Sequence, residues 1–267
     1  MDKNIYNPVP VRIRKIIKHT ATEWSFLLET KFEFSPGQFV FVSLPHTSEI
    51  PITISGHEKF GFEITIRNAG EVTSQFFQLG VGDIIHYRGP YGNRFPLKDF
   101  DNEHLIVIAG GSGVAAIKSL VEHYHNGSSQ KLKKLDLVVG FKTPGHLLYK
   151  KELGDWTKKG NTIVTVDKQT DEKEVWYGGI GFVVDFIKKL EGIDENTKAV
   201  VVGPPLMMAN SVAELLRYNV SESNIWVSYE RHMKCGVGKC GHCRICDTYI
   251  CLDGPVFNYA QSKGLID

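Results

Sequence analysis

Apolar positions in the first hundred residues come in short runs, cut at close intervals by turn residues. Val9 to Lys18 and Glu23 to Glu29 are rich in β-branched and aromatic side chains, with His-Thr-Ala-Thr between them. Pro36 and Gly37 suit a turn, and Phe39-Val-Phe-Val-Ser-Leu44 follows as a strand. Pro51 to Ile54, Gly61 to Arg67 and Asp83 to Arg88 continue at the spacing of a small antiparallel barrel. Thr73 to Leu79 reads as one short helix ending at Gly80, and Gly89-Pro-Tyr-Gly-Asn93 closes the region as a turn-rich loop.

After Pro96 the pattern changes to alternating strand and helix. Leu105-Ile-Val-Ile-Ala109 is a continuous apolar run, as expected of a parallel strand buried on both faces. It feeds Gly110-Gly-Ser-Gly113, after which Val114, Ile117, Leu120, Val121 and Tyr124 fall on one helical face. Further strands are expected at Leu135 to Gly140, Asn161 to Val166, Ala199 to Val202 and Ile225 to Ser228. Helices are expected at Phe182 to Leu190 and Leu206 to Tyr218. The fold class is therefore all-β followed by α/β: an antiparallel barrel, then a doubly wound parallel sheet of five strands that binds ligands at their carboxyl ends. The expected division is residues 1–98 for the barrel, 99–229 for the nucleotide-binding fold and 230–267 for a cysteine-rich segment.

Gly110, Gly111, Ser112, Gly113 and Val114 form the candidate phosphate cradle. Exposed N–H groups at a helix start attract an anion, and absent side chains allow its close approach. Gly111-x-Gly113 followed by Ala116 is a partial dinucleotide fingerprint, and a purely structural glycine turn is the competing explanation. Gly203-Pro204-Pro205, at the end of the fourth expected strand, is a second side-chain-poor loop on the same edge.

Charge adds little to this picture. The 267 residues carry 31 basic and 30 acidic side chains, so nothing points to nucleic acid or to a strongly acidic partner. The start, Met-Asp-Lys-Asn-Ile-Tyr, is no apolar signal region. The longest apolar run, Leu105 to Ile117, contains three glycines and falls short of the ~20 residues a membrane span needs.

The cysteines change the picture most. All five lie between positions 235 and 251, whereas a disulfide framework would spread them across the fold. Cys235-x4-Cys240-x2-Cys243, with Cys251 further on, is the plant-type [2Fe–2S] spacing. Gly236, Gly238 and Gly241 between them leave the backbone free to wrap and to offer N–H groups to sulfur. A [4Fe–4S] run would need its fourth cysteine at Ile250 with a proline after it, and a Rieske centre would need a second Cys-x2-His. Zinc held by four thiolates remains the main alternative. Cys235, Cys240, Cys243 and Cys251 are the chosen ligands, which leaves Cys246 as a spare thiol expected to be buried. Thiolate ligands point to a reducing cytoplasm.

The barrel, then Ala-Gly-Gly-Ser-Gly-Val-Ala, then Gly-Pro-Pro-Leu-Met-Met, resembles the ferredoxin–NADP reductase superfamily. The ending from Tyr229 through the cysteines to Asn258-Tyr259 is similar to its iron–sulfur electron-transfer subunits. Among these, the chain most resembles the family of iron–sulfur flavoprotein subunits that serve anaerobic sulfite reductase. Relatives of that family serve dihydroorotate dehydrogenase and some hydrogenases, and an electron-transfer flavin subunit of either is the alternative that the resemblance implies. The resemblance implies that the barrel holds FAD through Pro51, Ile52 and Thr53, although Ile50 and Ile52 stand where the family has an arginine and an aromatic. Arg67, Gly70, Val72 and Thr73 match its pyrophosphate segment, with Arg67 able to supply the missing charge. Outside the resemblance, Arg67 is an exposed charge at a strand end.

The same resemblance implies a nicotinamide dinucleotide on Gly110 to Val114, with Gly203, Pro204 and Pro205 near its ring. Asp167, at the end of the third expected strand, also matches a recurrent position, with a strand-end turn residue as the competing reading. Phe141-Lys142-Thr143 offers one Lys and no Arg for a 2′-phosphate, which favours NADH over NADPH. The implied partners are a ferredoxin-like iron–sulfur subunit and a sirohaem subunit that reduces sulfite. No acid–base pair is required for such redox work, so no catalytic side chain is nominated. His123 and His125 suit the negative end of their helix rather than a metal. Arg231, Lys234 and Lys239 suit either a solvated basic loop or an acidic partner. A non-enzymatic zinc or redox sensor is the alternative from another class.

Overall fold

A computed structural model describes residues 4–30, 33–126, 132–169 and 176–265. The chain forms two compact units. One joins the chain up to Arg94 to Tyr229–Val256, and the other joins Phe95–Ser228 to the residues from Phe257 onward.

The first unit is built on a closed barrel of β1 (Val9–Lys18), β2 (Glu23–Glu29), β3 (Phe39–Ser43), β4 (Ile50–Glu58), β5 (Gly61–Arg67) and β6 (Ile84–Tyr91), in the order β1-β2-β5-β4-β3-β6. Alternation along each strand sends Val11, Ile13, Phe26, Leu28, Val40, Val42, Ile54, Ile64, Ile66, Ile85 and Tyr87 into one core. The helix α1 (Glu71–Phe76) plugs that core with Phe76. It starts earlier than the expected Thr73 to Leu79, with the Thr73 hydroxyl reaching back to accept from the N–H groups of Ala69 and Gly70, each at 2.9 Å, and it ends earlier because Phe77 to Leu79 continue in tighter i to i+3 turns.

β3 departs from barrel alternation: Phe39 and Phe41 point away from the core, yet all five of its residues are buried. The cover is the cysteine segment. A Cβ on Gly236 would stand 2.9 Å from the Phe41 ring and 3.1 Å from that of Tyr91. Asn93 fastens the far end of the same segment, donating to the carbonyls of Asp253 (2.8 Å) and Val256 (2.6 Å) and accepting from the Val256 N–H (3.0 Å). The tail expected as one segment, 230–267, is thus divided between the two units at Val256.

The second unit has α2 (Leu97–Phe100), β7 (His104–Gly110), α3 (Gly113–Asn126), β8 (Lys134–Phe141), α4 (Lys150–Lys159), β9 (Asn161–Val166), β10 (Gly179–Ile180), α5 (Val183–Ile187), β11 (Lys198–Val202), α6 (Pro205–Arg217) and β12 (Ile225–Ser228). Within the cysteine segment lie the hairpin β13 (Arg244–Ile245) and β14 (Thr248–Tyr249) and then α7 (Ile250–Asp253); β15 (Val256–Asn258) and α8 (Tyr259–Ser262) follow. The sheet holds seven strands, not five, in the order β10-β9-β8-β7-β11-β12-β15. The two extra strands are edge strands of two and three residues, too short to show a pattern. From β7 the chain runs outward through β8, β9 and β10, then returns beside β7 as β11. That reversal is the topological switch point at which such sheets bind ligands. No helix among the described residues is long and apolar enough to cross a membrane.

Candidate redox and nucleotide sites

At the switch point two loops lie side by side. Gly111 takes φ of 56°, a left-handed value that favours glycine, and its N–H donates to the Gly140 carbonyl at 2.9 Å. A Cβ on Gly113 would meet the Val202 carbonyl oxygen at 2.7 Å, so glycine is what lets α3 begin against the end of β11. Gly203 comes so close to Gly110 that its Cβ would stand 3.1 Å from the Gly110 N. Gly110, Gly111, Ser112, Gly113 and Val114 are therefore brought together with Gly203, Pro204 and Pro205 at the carboxyl ends of adjacent strands, with Ser112 and both prolines exposed. Met207, which the sequence did not single out, packs against both glycine loops. Asp167 follows β9 and is exposed; burial raises its carboxyl, against the opposing pull of Lys142 and Lys168.

On the barrel, antiparallel pairing sets Thr53 opposite Phe39 and Pro51 opposite Phe41. Cross-strand partners share a face, so Pro51 and Thr53 lie outside the barrel beside the aromatic patch that the cysteine segment covers. Ile52 points the other way and packs against the core. Arg67 is exposed at the end of β5, 3.4 Å from Glu23. Gly70 has open space where a side chain would stand, and Val72 is half-buried with the core. Thr73 donates to the Gly70 carbonyl as well as accepting at the cap, so its hydroxyl serves the turn itself. The residues fit a flavin at its phosphate end through the Arg67 charge and the unhindered Gly70.

The cysteine segment fits a thiolate-ligated cluster. The thiol of Cys240 interacts with Cys235, and that of Cys251 with both Cys243 and Cys235, so the four chosen thiols are neighbours. Among the described residues, no group of three or more His, Cys, Asp or Glu side chains is placed to hold a single metal ion. Backbone N–H groups aim at sulfur: Val237 (3.5 Å) and Lys239 (3.3 Å) at Cys235, Gly238 at Cys251 (3.3 Å), and Cys251 at Cys243 (3.4 Å). Gly236, Gly238 and Gly241 all take left-handed φ, at 82°, 69° and 81°, which turns these groups inward. Burial would push the Cys235 thiol up, but N–H donors from Val237, Cys240 and Lys239 outweigh it and hold the thiol at about 6. In Cys251 burial wins, with the neighbouring Cys243 adding to it, and the thiol rises to about 12.

Cys246 is exposed, contrary to expectation. It occupies the two-residue turn between β13 and β14 with φ of 50°, and Arg244 braces that turn through the Cys246 carbonyl and Asp247, both at 2.6 Å.

No pattern in the sequence points to Arg88. Its side chain is 6% exposed and forms charge-assisted bonds with Glu49 at 2.6–2.9 Å. It further donates to Tyr91 Oη (2.9 Å) and to the carbonyls of Lys234 (2.8 Å) and Cys235 (2.9 Å). Burial works against its charge, but the bonds to Glu49 and Tyr91 prevail and its pKa is raised.

The family domains that match the chain follow the same division. Residues 8–95 match the oxidoreductase FAD-binding domain and 107–213 the oxidoreductase NAD-binding domain. Residues 230–262 match the iron–sulfur cluster binding domain of dihydroorotate dehydrogenase B. Sulfhydrogenase 1 subunit gamma of Pyrococcus furiosus is 36% identical, over 96% of this chain and 94% of its own. The chain belongs to the ferredoxin–NADP reductase-like family of flavin- and NAD-binding electron-transfer subunits. A probable dihydroorotate dehydrogenase B electron-transfer subunit from Methanocaldococcus jannaschii is 32% identical, over 94% of this chain and 89% of its own. Among solved structures, that of an NADH-dependent reduced ferredoxin–NADP oxidoreductase matches with a TM-score of 0.77 at 25% identity, over 97% of this chain and 90% of that one. This family member is an oxidoreductase subunit with an FAD-binding barrel, an NAD-binding sheet and an iron–sulfur region. These relatives are named for sulfhydrogenase and dihydroorotate dehydrogenase, not for the sulfite reductase that the sequence led us to expect.

Proposed function

We propose that this protein is the electron-input subunit of a hetero-oligomer, taking reducing equivalents from NADH and passing them through FAD and a [2Fe–2S] cluster to a catalytic partner. The observation that carries this is the convergence of backbone N–H groups on the sulfurs of Cys235, Cys243 and Cys251, in the segment whose Gly236 lies against Phe41 and Tyr91 of the barrel. Such donors stabilise thiolate ligands, and the Cys-x4-Cys-x2-Cys spacing with Cys251 beyond it is that of a [2Fe–2S] centre. FAD, when bound, exchanges a hydride with nicotinamide and single electrons with an iron–sulfur centre, and so joins two-electron to one-electron chemistry.

The chain's own residues bind and orient. Arg67 and the open backbone at Gly70 hold the flavin phosphates, and Thr53 presents its hydroxyl beside the ring edge. Gly110 to Val114 receive the dinucleotide phosphates, with Gly203, Pro204 and Pro205 at the nicotinamide end. Cys235, Cys240, Cys243 and Cys251 ligate the cluster, and the N–H groups of residues 237–239 stabilise charge on sulfur. NADH is favoured over NADPH by the single Lys142 where a 2′-phosphate pocket would gather arginines. Free thiols throughout the segment suit a reducing cytoplasm.

The curated relatives point to a hydrogenase or dihydroorotate dehydrogenase partner. An iron–sulfur and sirohaem sulfite reductase is the second reading, favoured by the resemblance of the segment from Tyr229 to Tyr259. The deciding experiment starts from an anaerobic visible spectrum with iron and acid-labile sulfide assayed, before and after NADH. Flavin bands over an iron–sulfur background that bleach with NADH, at about two irons per chain, are expected. Bound zinc without flavin would overturn the reading in favour of a sensor. The native complex, assayed for hydrogen-, dihydroorotate- or sulfite-linked NADH turnover, then separates the partners.

A further inference from the structure

Three outward-facing side chains form a row across the barrel. Phe41 on β3 is the cross-strand partner of Pro51 on β4 and of Arg88 on β6. The Arg88 guanidinium carbon lies 4.1 Å from the Phe41 ring centroid. The ring also touches Gly236, where an added Cβ would approach within 2.9 Å. The strand nominated for the flavin and the first cysteine of the cluster loop are thus joined through two side chains, Phe41 and Arg88.

Arg88 is built into this row by every donor it has. Nε and one Nη2 hydrogen go to Glu49, the other Nη2 hydrogen to the Lys234 carbonyl, and the Nη1 pair to Tyr91 Oη and the Cys235 carbonyl. Only a planar guanidinium offers five donors in that fork; an ammonium offers three from one point. Glu49 immediately precedes β4. One ion pair therefore connects the root of the flavin strand to the backbone of the first cluster ligand, and it places a positive and a negative charge at unequal distances from that ligand.

We propose that Arg88 and Glu49 are positioning residues for electron transfer, with Arg88 holding the Cys235 backbone against the barrel beside the flavin strand and the Arg88–Glu49 charge pair setting the cluster's reduction potential. This rests on the reading of Cys235, Cys240, Cys243 and Cys251 as cluster ligands. A staple alone would explain the hydrogen bonds, so the test must report charge. An added electron is stabilised by nearby positive charge and opposed by negative charge. Glu49→Gln leaves the Arg88 cation uncompensated and should raise the potential. Arg88→Met leaves the Glu49 anion uncompensated and should lower it.

The experiment is a redox titration of the full-length holoprotein followed by the cluster's electron paramagnetic resonance signal, with iron and labile sulfide counted in each variant. Opposite displacements are expected, each at least tenfold in the one-electron equilibrium constant, which is about 59 mV. Displacements of the same sign, or none, in variants that keep their iron would overturn the inference. If Arg88→Met loses its iron, Glu49→Gln decides alone: an unchanged potential there would reduce Arg88 to a staple and sink the proposal. A wild-type protein that binds no cluster under anaerobic reconstitution brings down the ligand reading first, and this inference with it.

Discussion

Cys246 and Cys240 are both exposed, yet their surroundings differ in kind. Cys240 is paired with Cys235 in a loop whose N–H groups face sulfur, whereas Cys246 caps a hairpin turn braced by Arg244. Replacing Cys240 with Ser should abolish iron binding, and Cys246→Ser should keep the full complement; equal loss in both would overturn the ligand choice. Spacing alone singled out these four cysteines. It says nothing of Arg88, because a lone arginine in Ile-Ile-His-Tyr-Arg-Gly-Pro-Tyr looks like any outward strand residue. The one sign was indirect. The unbroken Phe-Val-Phe-Val of β3 is unusual for a barrel strand with one solvated face, and it marks a strand covered on both sides.

At the scale of elements, the amino ends of β7, β8 and β9 are tied by a buried carboxylate far along the strands from the glycine loops. Asp136 is fully buried and bonded to His104 (2.7 Å), Lys134 (2.8 Å) and Asn161 (2.7 Å). Burial alone would raise its pKa, but those three partners outweigh it and the value falls below the ordinary 3.8. A depressed carboxylate contributes stability that is fully present above its unfolded pKa and is lost as pH falls through the folded one. Asp136→Asn should therefore cost on the order of 3 kcal/mol at neutral pH. Urea midpoints of mutant and wild type should converge as pH falls below 3.8; a gap constant with pH would refute an ionic role. Element legibility varied for physical reasons. The apolar strands and α3 show in the sequence, whereas α4, Lys-Lys-Glu-Leu-Gly-Asp-Trp-Thr-Lys-Lys, buries only Leu153 and Trp156 and leaves almost no periodic signal.

Over the whole molecule, the chain leaves the barrel unit at Arg94 and returns to it at Tyr229. The returning segment is part of that unit's packing: Phe39, Phe41 and Tyr91, with ring centroids 5.6–5.8 Å apart, form the apolar surface it covers. A chain ended after Ser228 should expose this patch, bind a hydrophobic dye such as anilinonaphthalene sulfonate, and aggregate on warming. Dye binding equal to that of the intact chain would show that the barrel completes its own surface.

By itself the sequence determined what depends on local order along the chain: strand runs, glycine turns, the strand-to-helix cradle at Gly110–Gly113, and cysteine spacing. Each follows from periodicity, backbone freedom or ligand reach within a few residues. Tertiary structure alone decided that the cysteine segment packs on β3 and β6, that Gly110 meets Gly203, and that Arg88 bonds to Glu49 and the Cys235 carbonyl. Arg88 lies 147 residues from Cys235. Such contacts arise from the burial of apolar faces and from buried polar groups finding partners, and neither leaves a periodic trace in the chain.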